Sequence, residues 1–87
     1  MSVNGELDIA TALTFRRRLR ALKAANINVS LDLSHLEFID CAGAQAVIDA
    51  VAESRHGAWC VQVEPNMAEQ AIRLFDLMKA AGLPADI

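Results

Sequence analysis

Residues 31–50, LDLSHLEFIDCAGAQAVIDA, change periodicity once, and that change most constrains what this chain folds into. Leu31 and Leu33 alternate with polar neighbours as in a strand. Ser34, His35, Leu36 and Glu37 read as a turn, and Phe38 and Ile39 return to apolar residues. Beyond Gly43 the apolar residues recur at helical spacing, with Ala44, Val47, Ile48 and Val51 on one face. The unit is strand, loop, helix, with a glycine at the helix entrance. In open α/β sheets, ligands and partners meet the chain beyond the carboxyl ends of the strands, and Asp40, Cys41, Ala42 and Gly43 occupy that position.

The remaining segments repeat the alternation. Val3 and Leu7 flank Asn4-Gly5, enough for a strand stub that ends in a turn. A helix follows, with Thr11 as its expected N-cap and Ala12, Phe15, Leu19 and Leu22 as its apolar stripe, ending near Asn26. Residues 27–33 form the first full strand, β-branched at Ile27 and Val29. The central helix ends at Arg55-His56-Gly57, a basic last turn followed by a glycine. Residues 58–63 are the next strand, closed by Pro65. Asn66 and Glu69 have capping-box spacing before a third helix with Ala68, Ala71, Ile72, Phe75 and Met78 on its apolar face. Gly82 stops that helix and Pro84 forbids its continuation. Strands alternating with helices of about 12–16 residues predict an α/β fold of order βαβαβα, a small, mostly parallel sheet with helices packed against it.

Size and charge narrow the function. The 87 residues make a single domain, 1–87, near the size at which one core suffices. Hydrophobic residues supply 54% of the chain but aromatics only 5%, so aliphatic side chains and alanine must fill that core. A formal charge of −3 gives no overall attraction to nucleic acid or anionic lipid. No apolar run approaches the roughly 18 residues of a spanning helix, and the first residues lack the basic and apolar regions of a secretory signal. Two cysteines without a framework predict a reducing, cytoplasmic setting.

Catalytic chemistry finds little support. His35, Cys41, His56 and Cys60 are scattered without the compact spacing of a zinc site, so neither metal nor cofactor is expected. His35 lies six residues before Cys41, but no third group or substrate pocket is evident, and the chain reads as non-enzymatic. Cys41 and Cys60 fall at opposite ends of parallel strands, too far apart to bridge. Cys41 stands at a helix N-terminus, where the macrodipole favours a thiolate or any other anion; alternatively it is a small residue filling the first turn. Asp40 reads as the N-cap, and Gly43 permits close approach of another backbone. Arg16, Arg17, Arg20 and Lys23 cluster on the first helix opposite its apolar stripe, with Arg18 at the border. That cluster is either a solvated outer face or an electrostatic docking face for an acidic partner protein.

Together these residues resemble a known family. Gly5-Glu6-Leu7-Asp8 before a Thr-containing helix start resembles the STAS domain of sulphate transporters and anti-sigma factor antagonists. So do Leu31-Asp32-Leu33-Ser34 leading to Phe38-Ile39-Asp40-Cys41-Ala42-Gly43, and Arg73-Leu74-Phe75-Asp76 followed by Gly82-Leu83. The resemblance covers nearly the whole chain. It implies a bacterial partner-switching module that binds an anti-sigma factor, itself a serine kinase, and thereby frees a sigma factor for transcription. Phosphorylation of a Ser or Thr in the loop breaks such a complex by repulsion and desolvation. The resemblance places the switch loop at Asp40, Cys41, Ala42 and Gly43, and the partner surface at Asp8, Ala44 and Gln45.

The sequence departs from the family pattern in two ways. Neither Cys41 nor Ala42 has a hydroxyl, so the loop reads as a non-phosphorylatable variant. The chain also begins almost at Gly5-Glu6-Leu7-Asp8, as a minimal or truncated version whose open sheet edge invites homodimerisation. Two further functions stay open: a subunit that binds the ATPase of a phospholipid-trafficking transporter, and a redox variant in which Cys41 is oxidised instead of phosphorylated.

Overall fold

The computed structural model describes residues 1–55 and 57–83. In chain order these form β1 (Gly5–Leu7), α1 (Ala12–Ala24), β2 (Val29–Leu31), β3 (Leu36–Ile39), α2 (Cys41–Ser54), β4 (Val61–Val63) and α3 (Glu69–Ala80). Every strand pair among the described residues is parallel: β1 with β3, and β2 with β4. A parallel bridge between Ser2 and Asp32 joins the two ladders. Ser30 and Asp32 bond towards the N-terminal segment, through Met1 N to Ser30 O and Asp32 N to Met1 O. Val29 and Leu31 bond towards β4, through Val29 N to Cys60 O and Glu64 N to Leu31 O. The run 29–39 is therefore the middle of the sheet, with the N-terminal segment on one edge and β4 on the other.

Strand β3 differs from the turn expected at residues 34–37. Its residues are buried at Leu36 and Ile39 but exposed at Glu37 and Phe38, which breaks the period of two that marks a strand in sequence. Its pairing with β1 is irregular too, with a register shift between Gly5 and Glu6. Main-chain bonds hold it instead: Gly5 N donates to His35 O, Asp40 N donates to Leu7 O, and the Gln70 side-chain amide caps the carbonyls of Leu36 and Glu37. The turn itself is displaced to Ser34 and His35. There Ser34 N donates to Asp32 Oδ1 at 2.9 Å and Ser34 Oγ donates to the same oxygen at 2.6 Å.

Leu7, Leu31, Leu33 and Val47 are the largest fully buried side chains, and Phe15, Leu19, Phe75 and Met78 bring α1 and α3 to the same core. The strand positions between the buried ones, Glu6, Ser30 and Gln62, are exposed, so the helices share one face of the sheet and leave the other open. Trp59 is buried under α1; its indole N–H donates to Ile27 O at 2.6 Å and its ring lies 6.0 Å from Lys23 Nζ. Helix α1 ends as its sequence predicts, with Asn26 in the left-handed region at φ 59° and Ile27 N donating to Leu22 O. Gly82, at φ 81°, stops α3 in the same way, with Leu83 N donating to Met78 O. The signals expected from His56 and Pro84 lie outside the described residues.

Thr11 holds the N-cap position of α1 as expected, whereas the expected cap at Asn66 is corrected. The Thr11 side chain makes no cap bond to α1. It is engaged with Asp8: Asp8 N donates to Thr11 Oγ1 at 2.9 Å, while Asp8 Oδ1 accepts from Ala10 N and Thr11 N. This reciprocal exchange closes the turn that precedes the helix, and the Asp8 main-chain carbonyl accepts from Ala12 N at 2.7 Å. Asn66 does not cap α3, which begins after Ala68 without a side-chain cap. Backbone anchors it instead, Ala68 N donating to Leu33 O at 3.1 Å, and Glu69 pairs with Arg73 rather than closing a box.

Candidate protein-docking site

The loop between β3 and α2 is built by Asp40 and Gly43. Asp40 is the N-cap of α2, its Oδ1 accepting from Gly43 N at 3.0 Å. Its second oxygen reaches the loop between β1 and α1, where Oδ2 accepts from Ile9 N at 3.1 Å. One carboxylate thus fixes two chain segments 31 residues apart. Gly43 seats the first turn of α2 on β1. A Cβ placed there would lie 2.0 Å from the Leu7 carbonyl oxygen and 2.7 Å from its carbon, so only glycine lets the helix approach this closely.

Replacing Asp40 by alanine is expected to cost about 1–2 kcal/mol, since it removes a helix cap along with the tether to Ile9. Chemical denaturation checks the loss. Asp40→Asn, which keeps an acceptor oxygen, is expected to recover most of it.

Around this frame the expected site residues separate into two groups. Cys41 is exposed and a free thiol, and Ala42 is half-buried beside it. Gly43 and Ala44 are buried, Ala44 completely, so they pack the helix and present no side chain to a partner in the free domain. Gln45 is half-buried and donates to Asp49 Oδ1 at 2.7 Å. Asp8 is spent on its own loop, as described above. On the β1–α1 side that Asp40 tethers through Ile9 N, two exposed apolar residues stand out that the sequence did not single out. Ile9 is 80% exposed and Leu13, one helical turn on, is 56% exposed. Leu13 lies off the stripe formed by Ala12, Phe15 and Leu19, and an apolar residue outside a buried stripe was the available signal.

The basic cluster on α1 is also divided. Arg16 Nη1 lies 2.9 Å from Asp49 Oδ2, and Lys23 pairs with Glu53, so half of the expected electrostatic face instead ties α1 to α2. Arg17 and Arg20 have no ion pair among the described residues and remain for solvent or a partner.

The Asp32, Ser34 and His35 turn assembles the residue types of a hydrolytic triad without its relay. The Ser34 hydroxyl donates straight to Asp32, and the same His35 nitrogen faces both, at 3.1 Å from Ser34 Oγ and 3.5 Å from Asp32 Oδ2. The Ser34 hydroxyl, then the Ser34 N–H, hold the Asp32 carboxyl below its ordinary value, with His35 adding to the effect. A depressed carboxyl stabilises the native turn above the ordinary carboxylate range and loses that contribution as pH falls through its lowered value. Carboxyl chemical shifts across an acid titration are expected to show Asp32 titrating low, and Ser34→Ala to move it back up.

Asp40 thus pins the two short loops to each other, with Ile9 and Leu13 exposed on the β1–α1 side. No metal-ligating cluster occurs among the described residues. No helix among them is long and apolar enough to cross a membrane. The STAS domain family model matches residues 1–83. The chain belongs to the STAS domain family. No curated protein matches it. STAS domains are in general non-enzymatic regulatory or binding modules that act through protein–protein contacts.

Proposed function

We propose that this STAS domain is a constitutive docking module of the anti-sigma factor antagonist kind. It binds a kinase-like anti-sigma factor in the bacterial cytoplasm through the loop of residues 40–43, the start of α2 and the adjoining β1–α1 loop. The observation that carries this reading is the pair Ile9 and Leu13, large apolar side chains left exposed beside a helix start that Asp40 and Gly43 hold rigidly. Apolar anchors next to a preorganised polar rim are what a protein partner recognises. Cys41 and Ala42 lack a hydroxyl, and Thr11 is bound to Asp8, so a kinase finds no acceptor in this loop. The domain then stays bound where phosphorylatable relatives would be released.

The test titrates purified wild type and Cys41→Asp against a kinase-like anti-sigma factor and, separately, against the ATPase of a phospholipid-trafficking transporter. Binding of the anti-sigma factor that the aspartate weakens supports the proposal. Binding to the ATPase alone would assign the domain to a transporter instead.

A further inference from the structure

Helix α1 buries Ala12, Phe15 and Leu19, and on its opposite side Leu13, Arg17, Arg20, Ala21 and Ala24 are all exposed. Their helical spacing keeps those five in one outer stripe. An ordinary solvated stripe mixes both signs of charge, so that residues one turn apart attract. The whole chain has 11 acidic residues against 8 basic ones, yet residues 12–24 include Arg16, Arg17, Arg18, Arg20 and Lys23 and no acidic residue. Arg17 and Arg20 repel one another at i, i+3, and Arg16 and Arg20 do so at i, i+4. Basic residues complement the helix dipole in the last turn, and of the five only Lys23 stands there. Local rules therefore disfavour this arrangement. Asp49 and Glu53 of α2 relieve it only on the inner side, by pairing with Arg16 and Lys23. Arg17, Arg18 and Arg20 are exposed and have no ion pair among the described residues.

We propose that the outer stripe of α1 docks an acidic segment of another protein, whose carboxylates, one helical turn apart, meet Arg17 and Arg20. Guanidinium groups bind carboxylates through two parallel hydrogen bonds, and the repulsion within the stripe turns to attraction when such a partner arrives. The formal charge of −3 adds orientation, because the acidic remainder of the surface repels the same segment and steers it to α1. An extended polyanion fits less well. DNA or an anionic bilayer would face the exposed Asp49 and Glu53 together with the arginines, and the aromatic rings that could stack on bases, Phe15 and Trp59, are buried. The inference holds whichever protein supplies the segment, so it does not rest on the anti-sigma factor proposed above.

Heteronuclear NMR on the 87-residue chain at low salt tests this with a helical peptide that carries glutamates along one face. The peptide is expected to shift the amide signals of residues 13–24, and to lose about 10-fold or more in affinity when Arg17→Gln and Arg20→Gln are combined. Both side chains are exposed, so the circular dichroism spectrum should not change. Arg73→Gln, which removes an arginine paired with Glu69 on α3, is expected to leave the affinity as it was. The same peptide with glutamines in place of its glutamates should not bind. Amide signals of α1 that ignore the glutamate peptide, equal binding of the glutamine peptide, or an affinity that the double variant leaves unchanged would each overturn the proposal. Tighter binding of a double-stranded oligonucleotide or of phosphatidylglycerol vesicles through the same two arginines would overturn it as well, and would assign the stripe to that polyanion.

Discussion

Gly43→Ala is expected to destabilise the domain by about 3 kcal/mol or more, the upper end for overpacking. For a domain of this size that lowers the midpoint of thermal unfolding by about 12 °C or more. The atom in the way decides the magnitude. A long side chain could swing aside, but the new methyl would meet the Leu7 carbonyl at 2.0 Å, and that carbonyl also accepts from Asp40 N. Relief requires α2 to lift off β1, which withdraws Ala44 and Val47 from the core and separates Asp40 from Ile9. Calorimetry or thermal circular dichroism measures the effect. Cys41→Ala, two residues earlier on an exposed position, is expected to change stability by less than about 0.5 kcal/mol. Equal midpoints for the two variants would mean that α2 does not sit on β1 as described.

The second large effect concerns binding. Ile9→Glu combined with Leu13→Glu is expected to weaken the proposed partner by about 30-fold or more, the consequence of losing anchors worth about 2 kcal/mol. Stability should hardly move. Both side chains are exposed, and a carboxylate in the first turn of α1 interacts favourably with the helix dipole. Isothermal titration with the anti-sigma factor, beside a melting curve of the same variant, separates the two quantities. A variant that melts normally and binds as tightly as wild type would remove the apolar pair from the interface.

The fold was legible where periodicity is strong and lost where main-chain bonding replaced it. The buried alternation at Val29, Leu31 and Leu33, the helical stripe at Phe15 and Leu19, and the left-handed stops at Asn26 and Gly82 all follow local rules that the structure obeys. Strand β3 does not, because Glu37 and Phe38 are exposed together and its ladder depends on a bulged partner and on Gln70 from a distant helix. Capping was legible in position at Thr11 and not at Asn66, and in neither case does the side chain make the cap bond, for a related reason. Thr11 and Asn66 have the right chemistry, but Asp8 captured Thr11, and Leu33 anchored the start of α3 through backbone alone.

The site divides along the same line. Asp40 as N-cap and Gly43 as a close-approach residue could be read from their place before a helix. The second arm of Asp40 could not, since Ile9 is a neighbour only after folding. The same holds for Arg16 and Lys23, whose acidic partners lie 33 and 30 residues away on α2. Charge on one helix face says nothing by itself about whether a neighbouring helix neutralises it.

The most direct measurement of the central claim is a binding titration with the kinase-like anti-sigma factor before and after incubation of the mixture with Mg-ATP. Wild type is expected to bind with the same affinity in both cases and to gain no phosphate by mass spectrometry. Cys41→Ser, which restores a hydroxyl at the head of α2, is expected to gain one phosphate and lose affinity. Release of wild type by ATP, with phosphate on any residue of the loop or of α1, would contradict constitutive docking.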